Sequence, residues 1–124
     1  MTFEEYQKLA MRTNDGKAGE RLGLAIREDD GIDIGCLMNG CLGVAGESGE
    51  FIDMVKKWKF HQKPIDKEHL RKELGDILWY IAEICDSCGW SMDEVAQLNI
   101  EKLLARYPNG FDIEHANHRK AGDV

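Results

Sequence analysis

The chain has 124 residues, enough for one ordinary domain and too few for two. Apolar residues make up 43% of it, and no apolar run approaches the length of a membrane span, so no transmembrane helix is expected. With 16 Lys and Arg against 23 Asp and Glu, the net charge of −7 argues against nucleic-acid binding through bulk charge. An anionic small ligand would need local cations or a metal.

The first residues, Met1-Thr2-Phe3-Glu4-Glu5-Tyr6, carry two acids and lack the basic and apolar regions of a secretory signal. A reduced, cytoplasmic setting is the expectation. Thr2-x-x-Glu5 is a capping-box pattern and opens a first helix over about residues 2–13, with Phe3, Tyr6, Leu9 and Ala10 as its apolar stripe. Residues 14–33 are rich in Gly, Asp and Glu and read as a loop, with room for a short helical piece around Leu22–Arg27.

A second helix is expected from about residue 35 to 60. Its stripe is Leu37, Cys41, Val44, Ser48, Phe51, Val55 and Trp58. Residues 61–65 form a turn around Pro64, and Asp66 caps a third helix that runs to about Cys88. Leu70, Leu74, Ile77, Leu78, Ile81, Ile84, Cys85 and Cys88 line its apolar face, and Gly89 ends it. Ser91-x-x-Glu94, a second capping-box pattern, starts a fourth helix that stops before Pro108. Residues 108–124 form a tail with little periodicity. Nothing reads as a strand. Short links between long amphipathic helices predict an all-α fold: an antiparallel bundle of about four helices in a single domain over residues 1–124, with its core at about 35–107.

The cysteines Cys36, Cys41, Cys85 and Cys88 have spacings that admit a zinc site. Burial as small residues on helices is the better account, since free cysteine is commonly buried.

The chemistry lies in the carboxylates. Glu47 and Glu50 on the second helix, and Glu73 and Asp76 on the third, are acid-x-x-acid pairs whose members share a helix face. Projected at about 100° per residue, each pair falls roughly 80° and 140° to the same side of its helix's apolar stripe. Packed together, the two helices present four carboxylates beside their interface. Such a group repels itself unless cations intervene, and Mg²⁺, with Mn²⁺ as a substitute, takes oxygen ligands of this kind.

A lone acidic pair on a helix is usually just solvated. Small residues add weight here. Gly40, Gly43, Gly46 and Gly49 recur every third residue through the second helix, and each interior glycine costs about 1 kcal/mol relative to alanine. Such a stripe is expected where another backbone or a ligand approaches closely. On the fourth helix Asn99, Lys102 and Arg106 form a polar line. An amide and two cations beside a four-acid metal site describe a polyphosphate pocket. Lys57, two turns beyond Glu50, joins them, while Lys56, Lys59 and Lys63 read as solvated.

Glu47-x-x-Glu50, then 22 residues, then Glu73-x-x-Asp76 resembles the signature of the all-α, MazG-like nucleoside triphosphate pyrophosphohydrolases. The stretches Glu73-Leu-Gly-Asp-Ile-Leu-Trp-Tyr80 and Asn99-Ile-Glu-Lys-Leu-Leu-Ala-Arg-Tyr-Pro108 extend the resemblance over roughly residues 35–110. In one departure, Gly46 stands where the family often has an extra glutamate. The resemblance implies Mg²⁺-dependent cleavage of the α–β linkage of a nucleoside triphosphate to monophosphate and pyrophosphate. It implies homodimers or homotetramers whose sites borrow residues across the interface. It makes Glu47, Glu50, Glu73 and Asp76 the metal ligands, with Glu50 favoured as shared ligand and base. Asn99 and Lys102 become phosphate or sugar contacts, Tyr80 borders the nucleotide, and Trp79 points away toward an oligomer or core contact.

Two other classes compete. A ferritin-type di-metal bundle wants Glu-x-x-His pairs, and none of His61, His69, His115 or His118 follows a glutamate by three residues. A non-catalytic helical module that binds nucleotide or metal without turnover is the main alternative. Base and sugar preference depend on pocket shape, which the sequence does not give.

Overall fold

The computed structural model describes residues 1–28, 30–120 and 122–123. Six α-helices follow in order: α1 Phe3–Ala10, α2 Ala18–Arg27, α3 Ile34–Phe60, α4 Lys67–Cys88, α5 Met92–Arg106 and α6 Ile113–Asn117. A 3₁₀ turn, Met11–Thr13, extends α1. No strand occurs among the described residues, and among them no helix is long and apolar enough to cross a membrane.

The caps set the boundaries. Thr2 and Glu5 exchange side-chain and backbone hydrogen bonds in a full capping box. The Asp33, Asp66 and Asp112 side chains accept from the backbone N–H three residues on, at the starts of α3, α4 and α6. Gly89, at φ 71°, takes the left-handed conformation that ends α4. Ser91 caps α5 by accepting from Asp93, without the reciprocal bond from Glu94.

Two expectations need correction. The stretch read as a loop contains a ten-residue helix, α2, in place of the short piece around Leu22–Arg27. The segment after Pro108 contains α6, started by its Asp112 cap. The described residues therefore form six α-helices, not about four.

The long helices α3 and α4 pack along each other as an antiparallel hairpin. The Asp33 N–H donates to the Ser87 carbonyl at 2.9 Å at one end. Asn39 donates to Glu83 at 2.7 Å two turns in. Gly40, which is buried, sits where a Cβ would come 2.6 Å from Ile84 Cγ1 and 3.2 Å from the Tyr80 carbonyl oxygen. At Gly43 a Cβ would overlap the Tyr80 ring. These two glycines bring the helices together. Gly46, Gly49 and Gly75 face open space, so close approach explains only half of the glycine stripe.

Gly40→Ala is expected to destabilise the protein despite its better helix propensity. Overpacking costs about 1–3 kcal/mol, and the propensity gain returns at most about 1. Urea unfolding measures the difference, and an unchanged midpoint would show that the hairpin does not need this contact.

One chain does not form a four-helix bundle. Beyond the hairpin, α2 touches α3 lightly, and α5 and α6 make no comparable contact with α3 or α4. Cys85 is the one buried apolar side chain among the described residues. The chain exposes 10390 Å², against about 6,700 Å² for a compact monomer of this mass. Leu74, Leu78 and Trp79 on α4 and Met92, Val95, Leu98 and Leu103 on α5 all face outward. Much of the α4 stripe packs on α3, but Leu74, Leu78 and the apolar side of α5 stay exposed among the described residues.

Candidate metal and phosphate site

The hairpin register decides which acids meet. Glu47 on α3 lies level with Glu73 and Asp76 on α4. Each of the three offers a carboxylate oxygen within 4.8 Å of the others. Among the described residues no other group of three metal-ligating side chains gathers in this way. The cysteines, all free, do not form one.

Glu73 and Glu47 are half-buried while Asp76 is exposed; the Glu73 side chain is 14% exposed, and His69 Nε2 lies 2.9 Å from its Oε1. That contact spans one turn of α4 and fixes the carboxylate's direction. His69 was not singled out in the sequence, although its i, i+4 spacing from Glu73 was there to read. Desolvation, followed by the charges of Asp76 and Glu73, pushes the Glu47 carboxyl above its ordinary range.

This donor set fits a divalent metal. Three carboxylate oxygens converge, the kind of ligand that hard divalent ions take. With octahedral Mg²⁺ bonds of about 2.1 Å, neighbouring ligands lie roughly 3.0 Å apart and opposite ones roughly 4.2 Å, so the three oxygens would draw together on binding one ion.

Glu47→Gln is expected to raise the thermal stability of the metal-free protein at neutral pH. A raised native pKa means that native Glu47 holds its proton longer than the unfolded chain does. Its contribution to stability is therefore lost as pH rises from the ordinary carboxylate range through the raised value. Thermal melts in EDTA should show the variant's advantage vanishing below the carboxylate range. An advantage that persists there would contradict this origin.

Glu50 stands apart from the three. It is exposed and lines a neighbouring cleft of about 740 Å³ that also reaches Glu73. Gly46 and Gly49 form part of its wall, with Lys57, Lys63 and His69 also lining it. Lys57 is already engaged: its Nζ lies 2.6 Å from Asp53 Oδ2, which holds the ammonium above its usual range. Lys63, read as solvated, lines the cleft as well. Tyr80 is half-buried against Gly43, one turn beyond Asp76, and Trp79 stacks edge-on with it while facing outward.

The α5 line lies elsewhere in the chain. Lys102 and Arg106 border a separate cavity, beside α6, and Asn99 is exposed on a shallow surface near Trp90. A single chain thus brings together three of the four predicted carboxylates, keeps Glu50 one turn away, and does not join Asn99, Lys102 and Arg106 to them.

The Gene 37 protein of Mycobacterium phage L5 is 32% identical over 73 residues, which is 56% of this chain and 64% of that relative. The chain therefore spans less than two thirds of this relative's length. No solved structure matches significantly. The MazG nucleotide pyrophosphohydrolase domain matches residues 40–111, from the α3 glycine contact through both acid pairs and the whole of α5. With more than half of its length covered, the chain belongs to the MazG nucleotide pyrophosphohydrolase family.

Proposed function

We propose that this protein is a metal-dependent nucleoside triphosphate pyrophosphohydrolase that converts a nucleoside triphosphate and water to the monophosphate and pyrophosphate. The observation that carries this is the convergence of Glu47, Glu73 and Asp76 from two packed helices. Family membership supports the reaction class. Mg²⁺ held by these carboxylates would supply charge neutralisation for phosphate oxygens.

The chain's own groups divide the remaining work. Glu73, braced by His69, holds a fixed ligand direction. Glu50, exposed on the cleft wall one turn from Glu47, has room to accept a proton from an attacking water on a carboxylate oxygen. Lys57 and Lys63 line that cleft together with Glu50, Asp53, Asp66 and Glu73, so a triphosphate there would need its metal, with Lys63 as the cation not already paired to Asp53. Tyr80 closes the side near Asp76.

Asn99, Lys102 and Arg106 are proposed to act on the acid cluster of a second copy. Support comes from the surface account. One chain exposes roughly half again the area expected of a compact monomer, and the apolar side of α5 has no cover within it. Obligate homodimers bury about 2,000–5,000 Å² in total, or about 1,000–2,500 Å² per chain, which would cover a large part of this excess. A homodimer or a homotetramer would thus cover the apolar faces and complete the site.

Pyrophosphate release measured with a panel of ribo- and deoxyribonucleoside triphosphates, in Mg²⁺ and in EDTA, tests the proposal. Turnover with at least one nucleotide, abolished by EDTA, is expected. Nucleotide binding without release across the whole panel would favour a non-catalytic sensor.

A further inference from the structure

Arg106 ends α5, and the chain returns so that Asp123 meets it. The guanidinium Nε and Nη2 donate to the two Asp123 carboxylate oxygens at 2.7 and 2.6 Å. The two side chains are only 10% and 16% exposed. The Lys and Arg ion pairs elsewhere lie on open surface. Beside this pair is a cavity of about 540 Å³. Lys102, Arg106, Arg119 and Lys120 line it, and among the described residues its acids are Asp123 and Glu114. Four cations against two carboxylates make a local positive excess in a chain whose net charge is −7.

The Arg106 fork holds two oxygens in one plane, the geometry in which guanidinium binds carboxylate or phosphate alike. The Asp123 carboxyl is held below the usual carboxylate range, first by its hydrogen bonds from Arg106 and further by the charges of Arg119 and Lys102. All three cations therefore act on one point. One carboxylate cannot satisfy them, whereas a phosphate chain carries more charge and more acceptor oxygens.

We infer that the cleft lined by the end of α5, residues 114–120 and Asp123 is a site for a diphosphate or triphosphate group, and that the Asp123 carboxylate is its resting occupant. Resting on the proposed polyphosphate role of Lys102 and Arg106, the inference adds a built-in competitor to that role. Phosphate must displace Asp123 from Arg106 before it binds. The tethered carboxylate competes at an effective concentration of order millimolar, so it lowers the affinity for every competing anion by the same factor.

Calorimetric titration with inorganic pyrophosphate in EDTA tests this without metal or turnover, so the result is independent of whether the protein hydrolyses nucleotides. Asp123→Asn is expected to bind pyrophosphate about tenfold more tightly than the wild type, as for a tethered competitor removed. Arg106→Gln is expected to weaken binding by a comparable factor. A nucleoside triphosphate titrated in EDTA should follow the same order if the phosphate chain alone is recognised. In the unaltered protein, pyrophosphate should move the Asp123 carboxyl carbon resonance toward that of free aspartate. Equal affinity in the wild type and both variants, or an Asp123 resonance unmoved at saturating pyrophosphate, would overturn the inference and leave the pair a structural clasp.

Discussion

Glu73→Gln should lower kcat/KM for the Mg²⁺–nucleotide by more than about 100-fold, since losing even an outer partner of a metal ligand costs about 10–100-fold. Glu73 is only 14% exposed and is the clustered acid that His69 braces. Its amide keeps the size and removes the charge that holds a divalent ion. The variant should remain helical, because its carboxylate stands among like charges in the metal-free protein. His69→Ala should produce a smaller loss, within the outer-partner range, because the ligand stays and only its direction loosens. Steady-state kinetics with circular dichroism separate these outcomes. Near-normal turnover in Glu73→Gln would remove the cluster from the site.

Leu78→Asp should disrupt assembly rather than the fold of the hairpin. Leu78 is 53% exposed in the single chain and lies on the α4 face turned away from α3, one turn from exposed Leu74. If that face is solvent-bound, an aspartate there changes stability by no more than about 0.5 kcal/mol. If a second copy covers it, the substitution buries an unpaired charge, at a cost of several kcal/mol. Sedimentation should show an oligomer for the wild type at micromolar concentration and dissociation or unfolding for the variant. A monomeric wild type, with a variant equally stable, would refute the covered face.

Much of the helical framework was legible because it is written in local chemistry. Asp66, Gly89, Ser91 and Pro108 fix the ends of α4 and α5, and each acts through its own backbone or a near neighbour. The long helix α2 was harder to see. Gly19 and Gly23 depress its helix propensity, and its Leu22, Leu24 and Ile26 alternate as a strand's would. The helix α6 is shorter than two turns and carries no usable period, so only its Asp112 cap marks it.

The acid cluster was legible in angle but not in height. Projection around each helix placed both pairs on facing shoulders, but it says nothing of how far one helix slides along the other. That register comes from Gly40 and Gly43 packing on Ile84 and Tyr80, a contact between residues about forty positions apart. It puts Glu47 level with Glu73 and Asp76 and leaves Glu50 a turn nearer the connection. The fate of Arg106 was invisible for a related reason. Its partner Asp123 arrives through an irregular segment seventeen residues away, where no periodicity operates. By contrast the Asp53–Lys57 pair, at i, i+4, was open to reading from the spacing alone.

The most direct test of the central claim is the identity of the products. Phosphorus NMR of a nucleoside triphosphate incubated with the protein and Mg²⁺ distinguishes every cleavage of the chain. Monophosphate and pyrophosphate should accumulate in equal amounts, with neither formed by Glu73→Gln. Nucleoside diphosphate with orthophosphate, or product formed equally by that variant, would contradict it.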